Sequence, residues 1–259
     1  MKIKEKVVIV IPARYGSSRY KGKPLVKILG REMILRVADI CSKVVGKSNL
    51  YVATDSNKIS KVVNNAGYKF IMTSSKCLTG TDRVAEASTK IKSKIYINVQ
   101  GDEPTINPKD IKSVIKAKIK NPYHVICGYD KLNKLDNVSS SFLPKVVVNS
   151  KKELIYISRA VVPASKKPNK DGTLIDKRIN YYKQVCIYAF NANELKKFHS
   201  KNKKSDTENI EDIEILRFFD LDVKVKMVRL NSNSVAVDTI SDVKKAETLI
   251  KKRNLIINN

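Results

Sequence analysis

The residues best suited to chemistry crowd into one loop. Arg14, Gly16, Ser17, Ser18, Arg19, Lys21, Gly22 and Lys23 follow the apolar run Val7–Ile11 after Pro12. Backbone amides, hydroxyls and cations gathered at a strand end are what a triphosphate needs. The loop is not a P-loop. Five residues separate Gly16 from Gly22 where that motif has four, and Pro24 follows Lys23. Proline offers neither an amide for a phosphate nor a hydroxyl for a metal. No G-x-G-x-x-G loop is present either. A solvated basic turn is the competing reading, but ligands of open α/β sheets sit beyond the carboxyl ends of strands, where this loop begins.

Two aspartates could complement it. Asp102 lies in Val99-Gln100-Gly101-Asp102-Glu103-Pro104 and Asp238 in Val235-Ala236-Val237-Asp238-Thr239, each after an apolar stretch. One or two carboxylates plus substrate phosphates are the usual surroundings of magnesium. Gly101 would let a ligand approach the backbone closely. Asp238, three residues before Ser241, has helix capping as its competing reading. In Thr79-Gly80-Thr81-Asp82-Arg83, Thr81 could cap the next helix while Gly80 presents amides to a base or phosphate. Glu208, Glu211 and Glu214 recur every three residues, which puts them on one ridge of a helix. Such carboxylates either hold the hydroxyls of a sugar or pair with lysines. Arg159 ends an apolar strand, and its fork suits a substrate carboxylate.

The elements that must position these groups alternate. Strands are expected at Val7–Ile11, Leu50–Thr54, Tyr68–Met72, Ile95–Val99 and Val125–Tyr129. Helices are expected at Met33–Lys43, Ser56–Ala66, Thr81–Ile91 and Pro108–Lys120. This alternation implies an α/β fold, a mainly parallel central sheet flanked by helices. It loosens after Lys131, where strands Lys145–Val148 and Leu154–Ser158 flank a hairpin turn and Ala164–Gly172 reads as a loop. Regularity returns with a strand at Gln184–Phe190, helices at Asn193–His199 and Glu208–Phe219, a strand at Lys224–Leu230 and a helix from Ser241. One domain over residues 1–259, with an antiparallel insertion at about 131–190, fits this order.

Composition narrows the class. The formal charge is +26, from 51 basic and 25 acidic residues. Nucleic-acid binding is one explanation. The basic residues run along the whole chain without interleaved aromatics, so a general drift toward lysine explains them better, with attraction of anionic substrates as a benefit. No apolar run could span a bilayer, and the N-terminus lacks the long apolar region of a signal peptide, so a cytoplasmic protein with no membrane partner is expected. Cys41, Cys77, Cys127 and Cys186 stand far apart, which argues for buried reduced thiols rather than a zinc site.

The segments IPARYGSSRYKGKPL, TGTDR, INVQGDEP, ISRAVVP, IEDIEILR and VAVDTISD, in this order, resemble the sugar-acid cytidylyltransferases, in particular the 3-deoxy-manno-octulosonate (Kdo) cytidylyltransferase family. The resemblance runs from about residue 6 to 250. It implies a glycosyltransferase-A-like fold, a homodimer, CTP and an acidic sugar as substrates, magnesium as cofactor, and a place in lipopolysaccharide assembly. It assigns Ala13, Arg14, Ser17 and Lys23 to the triphosphate, and Gly80, Thr81 and Arg83 to the cytidine. Asp102 and Asp238 would hold magnesium. Gln100, Arg159, Tyr188, Glu211 and Glu214 would line the sugar side, with Gln184 where the family often has a histidine. Arg14, Lys23, Asp102 and Asp238 are the expected catalytic set. Tyr20-Lys21 replaces the family's usual Leu-Pro. The Gln184 exchange leaves room for another acidic sugar, such as 8-amino-Kdo or a nonulosonate.

Overall fold

A computed structural model describes residues 6–16, 20–133, 136–176 and 178–257, with side chains through Arg253. The first half holds β1 (Val7–Ala13), the short pair β2 (Lys27–Ile28) and β3 (Arg31–Glu32), α1 (Met33–Val45), β4 (Leu50–Thr54), α2 (Asn57–Asn65), β5 (Lys69–Met72), α3 (Gly80–Ser88), β6 (Ile95–Val99), α4 (Pro108–Lys120) and β7 (Val125–Lys131). The second half holds β8 (Lys145–Val148), β9 (Leu154–Ser158), β10 (Tyr182–Phe190), α5 (Ala192–Ser200), α6 (Asp206–Glu211), α7 (Arg217–Asp220), β11 (Val225–Arg229) and α8 (Ile240–Ile257).

The main sheet runs β11-β7-β10-β6-β1-β4-β5. Strand β1 lies parallel to β4 and β6, β4 to β5, and β11 to β7. Only β10 runs against its neighbours on this path. All of β1 is buried because helices cover both of its faces. Side chains alternate across a strand, so Val7, Ile9 and Ile11 enter the core under α1, α2 and α4, while Val8 and Val10 enter the core with α3 and α5. Parallel neighbours bring the carboxyl ends of β1, β4 and β6 to one edge of the sheet. The reversal of β10 brings its beginning, near Gln184, to that same edge.

The expected insertion is a hairpin of β8 and β9, paired antiparallel from Lys145↔Ser158 onward. Its turn closes with the Lys152 amide donating to the Asn149 carbonyl at 2.9 Å. The hairpin joins the main sheet through Lys145, which pairs with Lys183 on β10, and through Glu153, which bridges to Lys226 on β11. Among the described residues, no helix is long and apolar enough to cross a membrane.

Two expectations need correction. Thr79, not Thr81, caps α3, in a capping box with Asp82. The helix expected over Glu208–Phe219 is broken: α6 ends at Glu211, Asp212 turns left-handed at φ 49°, and a short 3-10 turn over Glu214–Leu216 leads into α7. The three glutamates therefore share no ridge, and each finds its own partner. Glu208 is buried against Arg217, whose guanidinium binds it through Nε and Nη2 at 2.7 Å each and binds Asp82 through Nη1 at 2.6 Å. The same guanidinium carbon lies 3.9 Å from the centre of the Phe198 ring. A left-handed residue at Asp212 lets the chain turn so that Arg217 can reach α3.

All four cysteines are free. Cys41 and Cys127 are buried as expected, whereas Cys77 and Cys186 are only partly so. Burial pushes the Cys77 and Cys127 thiols up to about 12, which keeps them protonated and poorly nucleophilic.

Removing one partner of a buried charge cluster leaves the others uncompensated. Arg217→Ala should therefore cost about 3–5 kcal/mol in urea unfolding. A loss below about 1 kcal/mol, the worth of an exposed pair, would show that the cluster does not hold α3 to α7.

Candidate active site

The loops at the carboxyl ends of β1 and β6, the start of β10 and the segment before α8 surround a cleft of about 720 Å³. A smaller hollow of about 230 Å³ beside β9 and β11 shares no residue with it. From the nucleotide set, Ala13, Arg14, Lys23, Gly80 and Arg83 line the cleft, and so do Asp102 and Asp238. From the sugar set, Gln100, Arg159, Gln184, Tyr188 and Glu214 line it. Thr81 and Glu211 do not, and Ser17 lies outside the described residues.

The basic loop closes on itself. Gly22, left-handed at φ 74°, donates its amide to the Tyr15 carbonyl at 2.9 Å. Only glycine adopts this conformation without strain. The turn hands the chain to a 3-10 segment, Lys23–Leu25, with Pro24 in its first positions. Proline's fixed φ suits that place, which explains the residue that excluded a P-loop. Lys23 Nζ then donates to Asp102 Oδ2 at 2.8 Å and to Asp238 Oδ1 at 3.1 Å. Burial opposes the Lys23 charge, yet attraction and hydrogen bonds to Asp102, then Asp238, hold its pKa above the ordinary value.

The two aspartates meet because their backbones are tied: the Val237 amide donates to the Asp102 carbonyl at 2.9 Å. The capping alternative for Asp238 falls to Asp242, whose Oδ2 accepts from the Thr239 amide and hydroxyl at the start of α8. Gly101 lines the cleft, and a Cβ there would lie 2.9 Å from the Pro12 carbonyl, so the glycine also lets the ends of β1 and β6 pack together.

Asp102 and Asp238 fit a hard divalent cation. Two carboxylate oxygens already converge on one positive atom, and an all-oxygen set of one or two carboxylates suits magnesium when phosphates complete it. Among the described residues, no group of three or more potential metal ligands occurs, so substrate would supply the remaining ligands. Beside them Glu103 is buried, and burial, reinforced by Asp102, raises its carboxyl to about 7. Sequence reading passed over Glu103 because its neighbour explained the motif.

On the other wall, Glu214 is half-buried, and its desolvation raises its pKa. Its carboxylate accepts from the Thr81 amide at 2.9 Å and from Gln100 Nε2 at 3.0 Å. It thus ties α3 to the end of β6. Arg83 points back into the sheet, bonding Thr73 Oγ1 at 2.6 Å and Asp55 Oδ2 at 3.2 Å. Gln184 Nε2 donates to the Tyr188 hydroxyl at 3.1 Å. Side chains four apart on a regular strand start about 13 Å apart. The register shift between Val185 and Tyr188 shortens that span. Burial keeps the Tyr188 hydroxyl protonated, far above its usual pKa.

Arg159 does not present an empty fork. Its Nη1 donates to the Ser141 carbonyl at 2.8 Å, its Nη2 to the Asp212 carbonyl at 3.1 Å, and its Nε to the Glu211 carbonyl. The Glu211 carboxylate accepts from Ser158 Oγ at 2.6 Å and from the Arg159 amide at 2.8 Å. It stands behind the cleft wall and supports Arg159 rather than facing the cavity. Sequence spacing had no means of finding this pairing, since it joins the hairpin to α6 across more than fifty residues.

Comparison with known proteins agrees with this geometry. A family model described as cytidylyltransferase matches residues 8–227. The 3-deoxy-manno-octulosonate cytidylyltransferase of Escherichia coli is 34% identical, covering 95% of this chain and 96% of its own. The 8-amino-3,8-dideoxy-manno-octulosonate cytidylyltransferase of Shewanella oneidensis is also 34% identical, covering 93% of this chain and 97% of its own. A solved structure of CMP:2-keto-3-deoxy-manno-octonic acid synthetase complexed with CTP superposes with a TM-score of 0.84 at 33% identity, over 96% of this chain and 99% of that one.

Two outcomes follow for the cleft floor. Gly101→Ala should lower stability by about 1–3 kcal/mol, the usual cost of overpacking, measured by urea unfolding. Lys23→Met leaves Asp102 and Asp238 facing each other without their cation. Manganese binding in the absence of nucleotide should then tighten about tenfold, or ~1.4 kcal/mol, in a calorimetric titration. Unchanged affinity would show that the two carboxylates do not share a cation site.

Proposed function

This chain belongs to the cytidylyltransferase family, and on that premise we propose that it transfers the cytidylyl group of CTP to a 2-keto-3-deoxy sugar acid, 3-deoxy-manno-octulosonate. The products are CMP-Kdo and pyrophosphate, and the reaction serves lipopolysaccharide assembly in the cytoplasm. The observation that carries the reading is the convergence of Lys23 with Asp102 and Asp238 at the mouth of a cleft shared by the phosphate loop and the β10 wall.

In this reading the anomeric hydroxyl of the sugar attacks the α-phosphorus of CTP in line, and pyrophosphate leaves. Such transfers depend on positioning and charge neutralisation more than on covalent help from the protein. Lys23 and the exposed Arg14 supply positive charge beside the triphosphate. Gly80 offers backbone at the start of α3, and Ala13 borders the phosphates. Magnesium, when held by Asp102 and Asp238, supplies charge neutralisation and acidifies the attacking hydroxyl. The protonated Tyr188 hydroxyl, Gln184 and the Gln100 amide offer donors to the sugar's oxygens. The net charge of +26 draws both anionic substrates toward the cleft.

Gln184 supports a second reading, in which the acceptor is the 8-amino sugar named for the Shewanella oneidensis relative. An amide both donates and accepts, so it can serve a hydroxyl or an amine. A homodimer joined through the hairpin insertion completes the proposal. Ile155 of β9, 56% exposed, is the kind of apolar surface that a second copy would cover.

Asp102→Asn should lower turnover about 10³-fold, the scale of losing one preorganised electrostatic group, with little change in melting temperature. Near-normal turnover would remove the metal assignment. Pyrophosphate release from CTP and magnesium with Kdo, 8-amino-Kdo and a nonulosonate, each in turn, identifies the acceptor. No release with any of them would overturn the reading.

A further inference from the structure

Lys145 is fully buried and forms no ion pair among the described residues. Its ammonium instead donates to two carbonyls, Ser140 at 2.8 Å and Arg159 at 2.5 Å. The Glu211 carboxylate attracts it only from beyond ion-pair distance, so the cost of burying its charge is incompletely offset, and an apolar side chain of similar volume usually does as well or better for stability. What Lys145 holds is therefore more informative than what it contributes to the core.

It sits where the hairpin pairs with β10, opposite Lys183 on that strand and Ser158 on β9. From there it fixes two segments that line the cleft. Through the Ser140 carbonyl it anchors the segment Ser141–Pro144, where the Pro144 carbonyl accepts from the Gln184 amide at 3.0 Å. Through the Arg159 carbonyl it anchors the residue whose guanidinium binds the carbonyls of Ser141, Glu211 and Asp212. Arg159 thereby links Ser141–Pro144 to Asp212–Glu214, which line the same cleft. Lys145 itself does not line it, and its hydrogen bonds go to Ser140 and Arg159 rather than to Lys23, Asp102 or Asp238.

We propose that Lys145 is a positioning residue for the acceptor wall: its ammonium, shared between the carbonyls of Ser140 and Arg159, sets Arg159 and the two wall segments that Arg159 joins. The proposal rests on the reading of this wall as the sugar side. A fold-only role would place Lys145 with Arg217, whose loss weakens the whole domain. A positioning role confines the damage to one wall.

The test uses Lys145→Met, with Lys145→Gln as a second variant that keeps one neutral donor. Hydrogen exchange is read first, because it does not depend on which substrate the protein takes. Amides of Ser140–Leu143 and Asp212–Glu214 should exchange at least about tenfold faster in Lys145→Met. Those of Gly22–Val26 and Val237–Thr239 should match the wild-type protein. Kinetics are read second. KM for the sugar acid should rise by about tenfold or more while KM for CTP stays within about twofold, since small misplacements of a binding group cost that much. Lys145→Gln should fall between the two. Uniformly faster exchange, equal rises in both KM values, or failure of both variants to fold would overturn the proposal. Localised exchange without turnover by the wild-type protein on any sugar acid would uphold the positioning role and overturn the proposed reaction instead.

Discussion

Lys23 Nζ lies between two carboxylates that are 79 and 215 positions away from it in sequence. Everything around the cleft can be traced to the need to bring these three side chains together. Asp102 arrives at the end of β6, and β6 lies beside β1 because both run parallel in the buried centre of the sheet. Asp238 arrives through a loop whose Val237 amide binds the Asp102 carbonyl. Lys23 arrives through the turn that Gly22 closes on Tyr15. Gly101 permits the last ångströms of approach between the β1 and β6 ends. The ammonium also neutralises two acids that would otherwise repel each other at the mouth of the cleft.

Much of this was legible in the residue order. The β-branched runs marked the strands of the parallel half, and the strand-end positions of Asp102, Asp238 and the basic loop implied one shared edge. That inference works because periodicity and strand–helix alternation are local signals with a global consequence. The expectations that failed involve contacts between distant segments. An i, i+3 glutamate pattern implies a helical ridge only if the helix continues, and here Arg217 drew Glu208 inward while Asp212 broke the axis. Arg159 looked like an empty fork because its three carbonyl partners lie on other segments. Thr79 was the legible signal that went unused, since a threonine three residues before Asp82 is a capping box.

The walls of the cleft also differ in construction. On the wall that carries Lys23 and Arg83, side chains grip one another through charge: Lys23 with two aspartates, Arg83 with Asp55. On the wall that carries Arg159, cations grip the main chain: Lys145 and Arg159 between them bind five carbonyl oxygens. Carbonyl partners do not depend on the identity of the residues that carry them. Side chains such as Gln184 can therefore change while the wall keeps its shape.

The reversal of β10 has a consequence for how such a protein can diversify. Because β10 returns antiparallel between β6 and β7, the chain leaves the sheet after β7 and re-enters beside the cleft. The hairpin lies in that excursion and meets the main sheet through Lys145 at β10 and through Glu153 at β11. Lengthening, shortening or reshaping the excursion leaves the alignment of β1 with β6 untouched. The frame that carries Lys23 and Asp102 is thus fixed, while the wall that carries Arg159 can be reshaped within a single loop of the topology.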